Sequence, residues 1–184
     1  MLEKHDFHPL VGNPLTEIKT FRIRNVREED LTEVMNINFS CLPENYSLYF
    51  FQELYQKHPR AFVVAEVDGR IAGYIMCRIE HGFSDLRRLN FTKKGHVVSV
   101  AVLPEYRRMG IGGALLKEAF KGMVEYGASE AFLEVRVGNT EAVNLYGKIG
   151  LKITRVVECY YRDGESANVM TLGLRRPNME SGNP

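Results

Sequence analysis

Apolar positions along this chain change their period several times, and each change marks an element. Phe21-Arg22-Ile23-Arg24 alternates as a half-buried strand does. Behind the acidic start Arg27-Glu28-Glu29-Asp30, residues Leu31, Val34, Met35, Ile37 and Asn38 repeat at helical spacing, until Leu42-Pro43-Glu44-Asn45-Tyr46 interrupts them. A second helix is expected over residues 48 to 56. Residues 61 to 67 and 71 to 79 then read as two antiparallel strands joined by the two-residue turn Asp68-Gly69. Residues 80 to 94 carry charge without a period and are expected to form a long loop, with most of Arg87, Arg88, Lys93 and Lys94 solvated. Further on come a strand over 96 to 103, a helix over 112 to 126, a strand over 131 to 137, a helix over 140 to 149, and strands over 152 to 157 and 167 to 174. The expected class is α/β, with a mixed, mostly antiparallel sheet of about seven strands flanked by about four helices. Residues 1 to 19 hold Pro9, Gly12 and Pro14 and no sustained period, so they read as an N-terminal extension. Residues 20 to 175 read as one domain and 176 to 184 as a tail.

Composition narrows the classes of function. A chain of 184 residues suits one domain, and 24 Lys plus Arg against 23 Asp plus Glu gives no global field that would draw it to DNA or a membrane. Cys41, Cys77 and Cys159 lie far apart, as reduced thiols do, and the five histidines make no metal-ligand spacing. Apolar runs are strand-sized, so neither a signal peptide nor a membrane span is expected, and the expected location is the cytoplasm.

The most informative stretch runs from Val97 to Leu116. A β-branched strand ends at Pro104, two arginines follow at 107 and 108, and Gly110 and Gly112 open an apolar-periodic helix. Bare backbone amides at the positive end of a helix, with glycines that admit a ligand closely, make an anion-binding device. A dinucleotide fingerprint fails because Leu115 stands where its third glycine belongs, and no Gly-Lys-Ser or Gly-Lys-Thr completes a Walker loop. The remaining pattern, Arg107-x-x-Gly110-x-Gly112, resembles the pyrophosphate motif of the GCN5-related N-acetyltransferases. That resemblance implies acetyl-coenzyme A as cofactor, held by Arg107, Arg108, Met109, Gly110, Ile111, Gly112, Gly113 and Ala114.

Other segments sharpen it. Asn139-Thr140-Glu141-Ala142-Val143-Asn144-Leu145-Tyr146 resembles the family's second cofactor segment, which implies that Asn139 contacts the pantetheine arm and Tyr146 lies near the thioester sulfur as proton donor. Read without the family, the same residues are a helix N-cap and a core tyrosine. Residues 42 to 46 resemble the loop between the first two helices in Nα-acetyltransferase catalytic subunits of the arrest-defective type, archaeal members above all. Gly95 to Val102 and Tyr160 to Glu165 resemble the same enzymes, in which the latter region closes over the peptide. The resemblance spans Phe21 to Leu174 and implies a sheet whose two central parallel strands splay apart, with a backbone N–H of Val100, Ala101 or Val102 turned to the thioester carbonyl. Gly147 and Gly150-Leu151 depart from the Glu and Gly-Phe that are commoner there, which bears on helix packing rather than on cofactor contacts.

Acyl transfer from a thioester to an amine needs a neutral nucleophile, a stabilised oxyanion and a proton for the thiolate. An α-amino group titrates near 7.7 to 8.0 and lysine near 10.4, so a peptide N-terminus needs only a modest base. His96 and Glu134 are the candidates, expected at similar depth on adjacent strands and able to act separately. Glu134 interrupts an apolar strand, and its alternative reading is an ion pair with Arg136, two residues on and on the same face. Leu42, Pro43, Glu44, Tyr46, Tyr160 and Tyr161 are candidates for holding the peptide. The expected activity is acetyl transfer to protein N-termini, with an auxiliary subunit or the ribosome as a further partner. Acetylation of lysine or a small amine, and a non-catalytic acyl-coenzyme A-binding subunit, stay open beside it.

Overall fold

The computed structural model describes residues 20–174; the expected extension over 1 to 19 and the tail lie outside them. Along the chain run β1 (Arg22–Asn25), α1 (Leu31–Cys41), α2 (Leu48–Lys57), β2 (Phe62–Val67), β3 (Arg70–Phe83), β4 (Phe91–Val102), α3 (Ile111–Glu125), β5 (Glu130–Arg136), α4 (Thr140–Ile149), β6 (Lys152–Val157) and β7 (Ala167–Gly173). The sheet order is β1-β2-β3-β4-β5-β7-β6, and β4–β5 is its parallel join. The expected seven strands and four helices are all present. Local chemistry sets several boundaries. Leu42 precedes Pro43, which disfavours helix at that residue, and it is extended at φ −130° and ψ 143°, so α1 stops at Cys41. Asp68 and Gly69 both take positive φ, the geometry of a tight hairpin turn between β2 and β3.

Each face of the sheet has its own core. Ile111, Leu115, Leu116, Ala119 and Met123 of α3 pack with Val63, Ile75, Leu133, Val135 and Tyr146 on one side. Leu31, Val34 and Ile37 of α1 and Phe51 and Leu54 of α2 pack with Phe62, Val64, Tyr74 and Met76 on the other.

The expected loop over 80 to 94 is mostly strand. Pairing continues through Glu80↔Lys94, His81↔Lys93, Gly82↔Thr92 and Phe83↔Phe91, and only residues 84 to 90 form the turn. Tertiary contacts outweigh the missing period here. Lys94 is buried, not solvated, and pairs with Asp85, while the Glu130 carboxylate accepts the Ser84 hydroxyl and the Asp85 N–H.

Candidate active site

The segment between β4 and α3 turns on two left-handed residues, Arg108 at φ +66° and Gly110 at φ +84°. Arg107 Nε donates to Val102 O at 3.1 Å, which anchors the turn to the strand end. Ala114 N–H bonds back to Gly110 O at 3.1 Å, and helix geometry leaves the amides of Ile111, Gly112 and Gly113 at the open end. A side chain at Gly110 would be strained by the backbone; a Cβ at Gly112 would stand 3.2 Å from Leu145 Cδ2, so the bare glycine lets α4 come close. The Arg108 to Glu141 pair, at 3.4 Å and fully in solvent, adds little and leaves Arg108 available. Asn139 caps α4, its Oδ1 accepting from Ala142 N–H at 3.1 Å, and Tyr146 on the same helix is buried, which pushes its hydroxyl up to about 12. Both residues thus satisfy their structural readings.

Beside this turn the sheet opens. The β4–β5 ladder holds only Lys94↔Glu130, Gly95↔Ala131 and His96↔Phe132, and then ends. Directly after it β4 carries a bulge: Cys77 pairs with Val97 and Met76 with Ser99, leaving Val98 unopposed. A bulge bends and overtwists its strand, which parts β4 from β5. Leu103 N–H bonds to Ala72 O on β3, so by alternation Ala101 also faces β3, whereas the backbone N–H groups of Val100 and Val102 face the gap. Of the three expected residues, Ala101 is therefore turned away, its side chain in the core under α1.

On the face towards α1 and α2, β4 and β5 present a row of polar side chains. His96 stacks on Phe132 with centroids 4.5 Å apart and planes 6° from parallel, and its Nε2 lies 2.8 Å from Glu134 Oε2. Burial raises the Glu134 carboxyl, but the hydrogen bond and charge of His96 outweigh it, and the net position is below the usual glutamate range. The His96 Nδ1 is buried, 3.9 Å from Glu80 Oε2, with no hydrogen-bond partner among the described residues. His96 and Glu134, expected as separate alternatives, are thus one hydrogen-bonded unit.

The ion pair of Glu134 with Arg136, the alternative reading of that carboxylate, does not form. Arg136 reaches instead to Glu44 at 2.7 Å, Asp163 at 2.6 Å and Glu165 at 2.8 Å, with its guanidinium carbon 3.9 Å from the Tyr161 ring centre. One cation thereby ties the loop between α1 and α2 to the loop between β6 and β7. Its carboxylate partners hold the guanidinium firmly charged, and Glu165 is lowered in turn, chiefly by Arg136. Glu44, a candidate for holding the peptide, is engaged by Arg136. Tyr46 donates to Val98 O at 3.5 Å, and Tyr160 meets Tyr161 edge to face at 5.0 Å. Burial raises all three phenols first, with the nearby carboxylates adding to it. Leu42 packs on the α1 and α2 core, whereas Pro43 is exposed. Sequence reasoning missed Arg136 as the link between loops; its place on the Glu134 face and the acids of 163 and 165 were the only signals, and neither says that distant loops converge.

Residues 31–151 match the family model described as Acetyltransferase (GNAT) family. An N-alpha-acetyltransferase of Sulfurisphaera tokodaii is 54% identical over 158 residues, 85% of this chain and 95% of that protein. The crystal structure of Ard1 from Thermoplasma volcanium superimposes with a TM-score of 0.72 at 29% identity, over 85% of this chain and 99% of that one. A chain of the NatB acetyltransferase complex, solved with CoA and MES, does so with a TM-score of 0.70 at 27% identity, over 84% and 99%.

Proposed function

This chain belongs to the acetyltransferase (GNAT) family, and from that premise we propose that it is an enzyme that transfers the acetyl group of acetyl-coenzyme A to the α-amino group of protein N-termini. The observation that carries the reading is the placement of two unlike surfaces on either side of the β4–β5 gap. Towards α3 and α4 lie backbone amides, Arg107 and Arg108; towards α1 and α2 lie the His96–Glu134 pair and the two loops joined by Arg136. The residues fit the cofactor: the turn at Gly110 is open to a diphosphate, and the gap exposes N–H groups of Val100 and Val102 to a carbonyl. Acetyl-coenzyme A supplies the activated acyl group.

Glu134, kept ionised, holds one oxygen on His96 and among the described residues makes no side-chain hydrogen bond with the other, so the pair takes the proton of the incoming ammonium directly or through a water. Tyr146, with its hydroxyl near 12, holds its proton more tightly than a thiol near 8.5, so its contribution is a hydrogen bond to the departing sulfur rather than complete proton transfer. Glu44, Tyr46, Tyr160 and Tyr161 line the acceptor approach. The relative solved as a complex supports an auxiliary subunit as further partner, and the exposed Phe39, Leu48 and Tyr49 on α1 and α2 are surface such a subunit would cover. A cytoplasmic location fits this role; among the described residues no helix is long and apolar enough to cross a membrane.

The test is acetylation of a peptide library varied at its first two residues, with Nα-blocked lysine peptides as control. Free N-termini are expected to react far faster at neutral pH because their amine is less basic. Equal rates for the lysine peptides would replace this reading with lysine or small-amine acetylation, and binding of acetyl-coenzyme A without turnover of any amine would leave a non-catalytic subunit.

A further inference from the structure

Three polar side chains lie in the apolar core beneath the acceptor face, and the scheme above uses none of them. Asn38 of α1 and Tyr74 of β3 are fully buried, and Ser99 of β4 is 6% exposed. Asn38 Nδ2 donates to Tyr74 Oη at 3.0 Å and to the backbone carbonyl of Glu44 at 3.2 Å; the Tyr74 and Ser99 hydroxyls share a hydrogen bond of 2.7 Å. The chain runs through the cluster of Val34, Ile37, Phe51, Phe62 and Met76. Polar groups there are costly unless paired, and apolar residues of the same shape would make an equally good core. What such a network adds is one defined arrangement.

Both of its ends belong to the acceptor side. The Glu44 carbonyl lies in the α1–α2 loop, whose Glu44 side chain is held by Arg136. Ser99 directly follows Val98, the bulged residue that opens the β4–β5 gap and whose carbonyl takes the Tyr46 hydroxyl. The bulge also explains why Ser99 can reach Tyr74: one unopposed residue shifts the alternation, so that His96 and Ser99, three positions apart, face the same side of the sheet. The loop is therefore pinned to the strand from below by Asn38–Tyr74–Ser99 and from its flank by Tyr46.

We propose that Asn38, Tyr74 and Ser99 are positioning residues for the peptide acceptor, which set the distance between the α1–α2 loop and the β4 bulge and thereby the placement of the substrate amine against His96 and Glu134. The idea rests on the N-terminal acetyltransferase reading for its kinetic part. It predicts a division of effects, because the network's hydrogen bonds run within the α1 and α2 face of the sheet. Displacement of reacting groups by about 1 Å can cost about 10²-fold in rate.

The experiment compares Tyr74→Phe, Ser99→Ala and Ser99→Thr with the wild type well below their melting temperatures. Peptide kcat/KM, the KM for acetyl-coenzyme A and amide hydrogen exchange over residues 42 to 47 are measured for each. Tyr74→Phe and Ser99→Ala are expected to lower peptide kcat/KM by about tenfold or more and to speed loop exchange, with the KM for acetyl-coenzyme A within about twofold of wild type. Ser99→Thr, which keeps the hydroxyl, is expected to restore both. If Tyr74→Phe does not fold, the Ser99 pair carries the test alone. Wild-type exchange and wild-type peptide kinetics in Ser99→Ala overturn the proposal, as does an equal loss towards both substrates. A wild-type protein that acetylates no peptide, in which Ser99→Ala still loosens the loop, would overturn the functional reading and leave the positioning of the loop standing.

Discussion

The two sides of the β4–β5 gap are made of different materials. The α3 side is one continuous stretch, 103 to 114, which offers main-chain amides on left-handed turns and in which the nearby arginines are weakly paired. The acceptor side is assembled from β4, β5 and two loops far apart in sequence, and its polar groups are already paired: His96 hydrogen-bonded with Glu134, Arg136 with three carboxylates. A constant anion can be held by backbone, which depends little on side-chain identity. An acceptor held by paired side chains depends on every partner staying in place. Substitutions on the two sides should therefore separate cleanly into effects on cofactor and effects on peptide.

The strongest break is expected at the acid–base pair. His96→Ala and Glu134→Gln should each lower peptide kcat/KM by roughly 10² to 10⁴, and because the two are hydrogen-bonded the double variant should lose far less than the product of the single losses. Steady-state kinetics on one peptide decides this, and multiplicative losses would mean two independent bases. Next in size, acetyl-coenzyme A at about 100 times its dissociation constant should stabilise the wild type by roughly 2.7 kcal/mol, and Gly110→Asp should abolish that gain by setting a strained backbone and a negative charge at the anion site. A thermal-shift titration reads it; unchanged stabilisation in the variant would place the diphosphate elsewhere. Arg136→Ala should part the two loops from each other and leave Glu44, Asp163 and Glu165 in mutual repulsion, lowering peptide kcat/KM by up to about 10² while acetyl-coenzyme A stabilises the variant as it does the wild type. Weaker cofactor binding in Arg136→Ala would erase the separation between the sides. The smallest effect concerns pH. The folded Glu134 carboxyl lies below its unfolded value near 4.3, so the unfolded chain binds more protons between the two; the contribution is present above the unfolded value and lost as pH falls through the folded one. Melting temperatures should accordingly drop faster on acidification in the wild type than in Glu134→Gln, and parallel curves would show that the pair contributes nothing to stability.

The same contrast explains what could be read from the sequence. The glycine turn was legible because proline, arginines and glycines act within a dozen consecutive residues, and the element order followed from periodicity. Glu134 stood out as a carboxylate in an apolar strand, but its partner lies on a neighbouring strand and not two residues along, since the parallel register that brings His96 beside Phe132 has no local signature. Arg136 was equally opaque, because its three partners come from loops that only the closed sheet brings together. The long hairpin of β3 and β4 was concealed for a related reason: its outer half is held by Lys94, Asp85 and Glu130 across elements and shows no alternation. At two of the departures the geometry is plain: Gly150, at φ +108°, ends α4, and Leu151 is buried behind it.

The brevity of the parallel ladder has a consequence for how activity arises during folding. β2, β3 and β4 close as successive hairpins, and so do β6 and β7, whereas Lys94 and its partner Glu130 meet only after α3 has crossed the sheet. Such a long closure is the more costly in chain entropy, and its backbone ladder holds three rungs, so side-chain contacts such as His96 with Glu134 and Glu130 with Ser84 carry the rest of the join. Neither half of the sheet holds the complete chemistry: His96 and the glycine turn's strand are on one, Glu134 and Arg136 on the other. On the proposed reading, a chain with both halves formed but unjoined would lack both the His96–Glu134 pair and the gap beside it, and would transfer no acetyl groups until its topology is complete.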